Sequence, residues 1–84
     1  MTWSVYMIMA SDRSLYTGIT TDVTRRWDEH VSGRGGAKYF RGRAPEKIVY
    51  IEPGHTRSSA ARREAEIKKL RAAEKWQLVK TQKD

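Results

Sequence analysis

The chain has 84 residues, no cysteine, and 17 lysines and arginines against 10 acidic residues, for a formal charge of +7. That length predicts one small domain over residues 1–84 without a large buried cavity, and the lack of cysteine excludes disulfides and thiolate metal sites. No apolar run approaches the ~20 residues of a membrane span and residues 1–10 do not read as a signal peptide, so the expectation is a soluble, cytoplasmic protein with no membrane role.

Solubility is the plain explanation of the charge. The lysines and arginines fall in clusters, however, and clustered cations attract phosphate at long range, so a polyanionic partner is expected.

Residues 3–9 and 15–20 are short apolar runs joined by Ala10-Ser11-Asp12-Arg13-Ser14, the signal of a β-hairpin. Trp3, Val5, Met7 and Met9 alternate with Ser4, Tyr6 and Ile8, so the first strand is apolar on both faces and suits a central place in a sheet. A two-residue loop at Asp12-Arg13 would put Tyr6 opposite Ile19 and send Tyr16 to the other face. An odd loop pairs Tyr6 with Gly18 and Ile8 with Tyr16, and sets both tyrosines on one face. The odd loop is favoured because a primed two-residue turn wants Asn-Gly or glycine, which Asp12-Arg13 does not supply; sequence alone leaves both registers open.

Asp22 is a good N-cap, and Val23, Trp27 and Val31 at i, i+4 and i+8 predict the buried stripe of a helix that Gly33 ends. His30 falls inside that stripe and Arg26 at its edge, while Arg25, Asp28 and Glu29 point away. Residues 32–45 form a loop that is basic and aromatic together, with Arg34, Lys38, Arg41 and Arg43 around Tyr39 and Phe40. Its cations would contact phosphates and Tyr39 or Phe40 would stack on an unpaired base; the plainer alternative is a solvated loop with one aromatic plugging the core.

Residues 47–52 are a β-branched run suited to a third strand that Pro53-Gly54 closes. Ser58 or Ser59 caps a helix reaching Leu70, with Ala60, Ala61, Ile67 and Leu70 inward. A shorter helix over 72–79 anchors Trp76, and residues 81–84 should fray. The order ββαβαα predicts an α+β fold, a three-stranded antiparallel sheet flanked by helices.

Ser4-Val5-Tyr6 on the first strand and Tyr16-Thr17-Gly18 on the second stand where the GIY-YIG nuclease superfamily carries its two name-giving tripeptides. The chain resembles that family over nearly its whole length, with Arg26 at the family arginine, His30 at a position that is commonly histidine or tyrosine, and Glu64 in Glu64-Ala65-Glu66-Ile67-Lys68 at the metal-binding glutamate. Residues 37–45 look like those of its small stand-alone bacterial members. The resemblance implies a metal-dependent DNA endonuclease, structure-specific in DNA repair or recombination. It implies that Glu64 holds one Mg²⁺ or Mn²⁺ ion, that Arg26 stabilises the phosphate, that Tyr6 and Tyr16 activate or orient water or the phosphate, and that His30 takes a proton or orients a tyrosine. DNA is the implied partner and RNA the other candidate, with a protein partner supplying specificity.

Taken singly, the same residues have plainer readings. Glu64 pairs with Lys68 at i, i+4, Arg26 snorkels at a helix border, His30 is a hydrogen-bonded core residue, and each tyrosine packs a strand. The chain contains no asparagine, which many family nucleases carry after the glutamate-bearing helix. A second reading therefore stands beside the first, a catalytically weak nucleic-acid-binding module of the same fold.

Overall fold

The computed structural model describes residues 1–33 and 38–82. In chain order it has β1 (Trp3–Ala10), β2 (Leu15–Thr20), α1 (Val23–Ser32), a single 3-10 turn (Lys38–Phe40), β3 (Pro45–His55), α2 (Arg57–Lys68) and α3 (Ala72–Gln82). The strands form one antiparallel sheet in the order β2-β1-β3. This is the expected α+β architecture, with the doubly apolar β1 in the centre. Among the described residues no helix is long and apolar enough to cross a membrane.

The hairpin takes the odd register, with Tyr6 opposite Gly18 and Ile8 opposite Tyr16. Ala10 N donates to Ser14 O at 2.9 Å and Arg13 N to Ala10 O at 2.9 Å, leaving Ser11, Asp12 and Arg13 as the loop. Arg13 supplies the left-handed residue that such loops need, at φ 71.

Val5, Met7, Leu15 and Tyr50 pack with Ala60 and Ile67 of α2 and Val79 of α3 in the hydrophobic core. Side chains alternate along a strand, so this core occupies the Val5/Met7 face of the sheet. α1 lies on the other face, where Tyr6 and Ile8 are buried.

Several local expectations give way to tertiary packing. Val31 is 56% exposed, because α1 turns His30 rather than an aliphatic stripe toward the sheet. α2 is capped by Thr56, whose hydroxyl accepts from Ser59 N at 3.0 Å while Ser59 Oγ accepts from Thr56 N at 3.1 Å, a reciprocal capping box. Ala61 is exposed, so the inward line of α2 is narrower than its alanines suggest. β3 continues through Pro53-Gly54 to His55, since one extra residue is absorbed between the Val5–Glu52 and Trp3–His55 pairs and Gly54 adopts φ 82. Prolines are tolerated in β3 because it is an edge strand. α3 also outruns its expected end: the side-chain amide of Gln82 pairs with both backbone groups of Ile51, with Ile51 N donating at 2.9 Å. That amide covers part of the outer edge of β3.

A polar network ties β3 to α2. Glu52 accepts from Tyr50 Oη at 2.8 Å and Arg63 Nε at 3.1 Å, and His55 bridges Glu52 and Ser59 at 2.9 Å and 2.8 Å. Burial alone would raise the Glu52 pKa, but the bonds from Tyr50 and His55 and the Arg63 charge outweigh it and hold the carboxyl below its ordinary 4.5. A carboxylate with a depressed folded pKa stabilises above its ordinary value, and that contribution is lost as pH falls through the depressed one. We expect Glu52→Gln to cost about 1 kcal/mol at neutral pH, with the gap to wild type closing as the medium is acidified below that range. Urea unfolding across a pH series reads this directly, and a gap independent of pH would remove the charge from the account.

Candidate active site

The odd register sets Tyr6 and Tyr16 on one face of the sheet, with ring centroids 6.2 Å apart. Tyr6 lies across Gly18: a Cβ there would stand 2.6 Å from Tyr6 Oη, 2.8 Å from its Cζ and 3.1 Å from Tyr16 Cε2. Tyr6 is 1% exposed and enclosed, so its ring has no room to swing aside. Glycine at position 18 is what allows the phenol to pass this close to the backbone.

α1 delivers the next two groups. Asp22 caps it through its carboxylate, which accepts from Arg25 N at 3.0 Å, and Gly33 ends it at φ 79. His30 is buried with Nε2 3.0 Å from the Tyr6 hydroxyl, while its Nδ1 has no hydrogen-bond partner. Burial first, then the facing Tyr16, pushes the Tyr6 pKa above its ordinary 10.0, with Arg26 opposing. Burial first, then the Arg26 charge, pulls His30 below its ordinary 6.5. Both rings are therefore neutral at pH 7.

The Arg26 charge acts on Tyr6, and Arg26 forms an ion pair with Glu29, Nη1 to Oε1 at 2.7 Å. Glu29 is the site residue that the helical-wheel reading misses, since it was assigned to the outward face. The i, i+3 spacing from Arg26 was the available signal.

The 38–45 segment walls this cluster. Tyr16 packs against His30 at 5.2 Å, Phe40 at 5.3 Å and Tyr39 at 5.4 Å between centroids. The segment is fastened to the hairpin loop by Ser11 N to Ala44 O at 2.8 Å and Ala44 N to Ser11 Oγ at 3.0 Å. Arg43 pairs with Asp12 at 3.5 Å, donates to Ser14 Oγ at 3.3 Å and lies 4.4 Å over the Tyr39 ring. Tyr39 and Arg43 thus have structural roles here, whereas Lys38 and Arg41 are exposed. Arg34 lies outside the described residues.

Glu64 lies on α2. Its side chain is 23% exposed and its Oε2 is 3.2 Å from Lys68 Nζ. α2 packs on β1 and β2 from the Val5/Met7 face, so the sheet lies between that helix and the tyrosines. Among the described residues no group of three or more histidines, cysteines and acids could hold a metal. A single half-buried carboxylate still fits a hard ion such as Mg²⁺, which keeps waters and takes further ligands from substrate phosphate.

The family model described as the GIY-YIG catalytic domain matches residues 2–77. The chain belongs to the GIY-YIG family. A UPF0213 protein of Syntrophus aciditrophicus is 47% identical over 76 residues, 90% of this chain and 87% of that protein. One from Haloquadratum walsbyi is 53% identical over 75 residues, 89% of this chain and 83% of that protein. The solution NMR structure of the UPF0213 protein of Bacillus halodurans matches with a TM-score of 0.61 and 44% identity, covering 96% of this chain and 85% of that one. Among GIY-YIG proteins the chain is thus similar to small stand-alone members, and its fold is of the nuclease type.

In this GIY-YIG domain Gly18→Ala must displace Tyr6 or the strand beneath it. We expect a loss of about 1–3 kcal/mol, the scale of an overpacked core, together with loss of the Tyr6–His30 bond. Urea unfolding measures the first and the His30 imidazole resonances the second; an alanine variant as stable as wild type would show that the close approach is dispensable.

Proposed function

We propose that this protein is a metal-dependent DNA endonuclease hydrolysing phosphodiester bonds, with structured DNA of repair or recombination as its substrate. The observation that carries the reading is the convergence of Tyr6, Tyr16, His30 and Arg26 on one face of the sheet. In this hydrolysis a water oxygen bonds to phosphorus as a P–O ester bond breaks. The reaction needs an oriented water and stabilisation of charge on the phosphate and the leaving oxygen.

Tyr6 is held as a neutral phenol bonded to His30 Nε2, with Tyr16 and the Arg26 charge beside it. Tyr16, half-buried on the edge strand β2, would hold the attacking water. Arg26 stays charged beside Glu29, and its planar fork matches phosphate oxygens. Glu64 would hold one Mg²⁺ or Mn²⁺ ion, which supplies positive charge to the phosphate and the leaving oxygen.

The Glu64–Lys68 pair favours the second reading, a catalytically weak nucleic-acid-binding module. Cleavage assays on linear, flapped and branched DNA with Mg²⁺ or Mn²⁺ separate the two. Glu64→Gln keeps size and helix propensity, so the fold and metal-free DNA affinity should survive while cleavage falls by about 10² or more. Arg26→Ala should abolish cleavage with some loss of binding. Wild-type protein that binds and never cuts would establish the module, and normal cutting by Glu64→Gln would move the metal elsewhere.

The two arginines of the aromatic loop should behave differently. Arg41→Ala should weaken DNA binding on every sequence and flatten its salt dependence by about one unit, with no change in melting temperature. Arg43→Ala should lower the melting temperature as well, because it unfastens the loop from Asp12 and Ser14. Equal effects of the two on stability would contradict that division.

A further inference from the structure

A hollow of about 230 Å³ opens beside the hairpin loop, lined among others by Arg13, Leu15, Tyr39, Lys75 and Trp76. A second hollow of about 450 Å³ shares Arg13 and Trp76 and runs on to Val79 and Lys80. Together they make a groove from Tyr39 to the outer turns of α3. Among the described residues no carboxylate lines either part. Among the described residues Arg13, Lys75 and Lys80 enter no ion pair, so the three cations face the groove uncompensated.

Two further observations bear on its occupant. Arg13 is the only non-glycine among the described residues with positive φ, at 71, a conformation that costs an L-residue roughly 1–2 kcal/mol and that glycine takes freely. A cation is kept there against the backbone's preference, which points to a role for its charge. Tyr39, one wall of the groove, also packs against Tyr16 and donates to Leu15 O at 3.5 Å. The groove therefore begins where the tyrosine cluster ends.

We propose that this groove is a second nucleic-acid contact that takes an unpaired, single-stranded stretch leaving the Tyr16 site, with a base against Trp76 and phosphates on Arg13, Lys75 and Lys80. The inference rests on the nucleic-acid reading of the tyrosine cluster and adds a substrate class to it. An indole between uncompensated cations suits a single strand, since stacking accepts any base and the cations follow the backbone. A duplex keeps its base faces stacked inside and cannot use an indole in this way. Flaps and branched DNA with an unpaired arm then fit the whole surface better than blunt duplex.

The test uses an oligothymidylate in the absence of divalent ions. The Trp76 indole N–H resonance of labelled wild-type protein should move on titration, and polyglutamate at equal charge should leave it in place. In the variant Arg13→Gly/Lys75→Gln/Lys80→Gln, glycine suits the loop and glutamine keeps helix propensity, so thermal melting should match wild type. The slope of log Kobs against log salt for the oligonucleotide should become shallower by about 2, at ~0.7 per lost single-strand contact. An unmoved indole, an unchanged slope, or a response to polyglutamate alone overturns the proposal. Wild-type protein that cuts DNA with the indole unmoved defeats the groove and keeps the nuclease. Protein that moves the indole and never cuts keeps the groove and defeats the nuclease.

Discussion

The passage of the Tyr6 ring over Gly18 is the contact on which both hairpin and site depend. It requires the register that sets these two residues opposite each other, and that register requires an odd loop with Arg13 in the left-handed region. It also requires that position 18 carry no side chain, because a Cβ would meet the phenol at 2.6 Å. Once the ring is seated, its hydroxyl is the point against which His30 and Arg26 are placed, and α1 takes its orientation from them.

The two faces of the sheet are built from different materials. On one, Val5, Met7, Ala60 and Ile67 form an aliphatic core whose larger side chains each contribute about 1.5–3 kcal/mol by burial. On the other, α1 covers tyrosines and a histidine, groups whose burial is tolerable because they are neutral and bonded to one another. The cost is visible in α1, where the polar His30 is buried and the apolar Val31 is left in solvent. The aliphatic core and the tyrosine cluster thus occupy opposite faces of the sheet.

The basic residues divide in a similar way. Arg43, Arg63 and Arg26 are held by carboxylates and serve to fasten or orient their neighbours. Lys38 and Arg41 stand exposed by the aromatic wall, and Arg13, Lys75 and Lys80 line the groove beyond Tyr39.

Sequence determined the element order, the central place of β1, the Asp22 cap, the Gly33 stop and the pairing of polar positions with the GIY-YIG pattern, because these depend on near neighbours and on periods of two and 3.6. It also favoured the odd register, though only by excluding a turn that Asp12-Arg13 cannot make. What it could not determine are the outcomes of competition between distant segments. Val31 is exposed because α1 packs on aromatic rings, β3 runs through Pro53-Gly54 because a bulge on an edge strand absorbs them, and α3 reaches Gln82 because Ile51 offers its backbone. Whether Arg43 faces solvent or Asp12, and on which face of the sheet the helix of Glu64 packs, are likewise facts of packing. A helical period orients a residue only relative to its own axis, and the rotation of that axis against the sheet is decided by which side chains across the gap can be buried with their polar atoms satisfied.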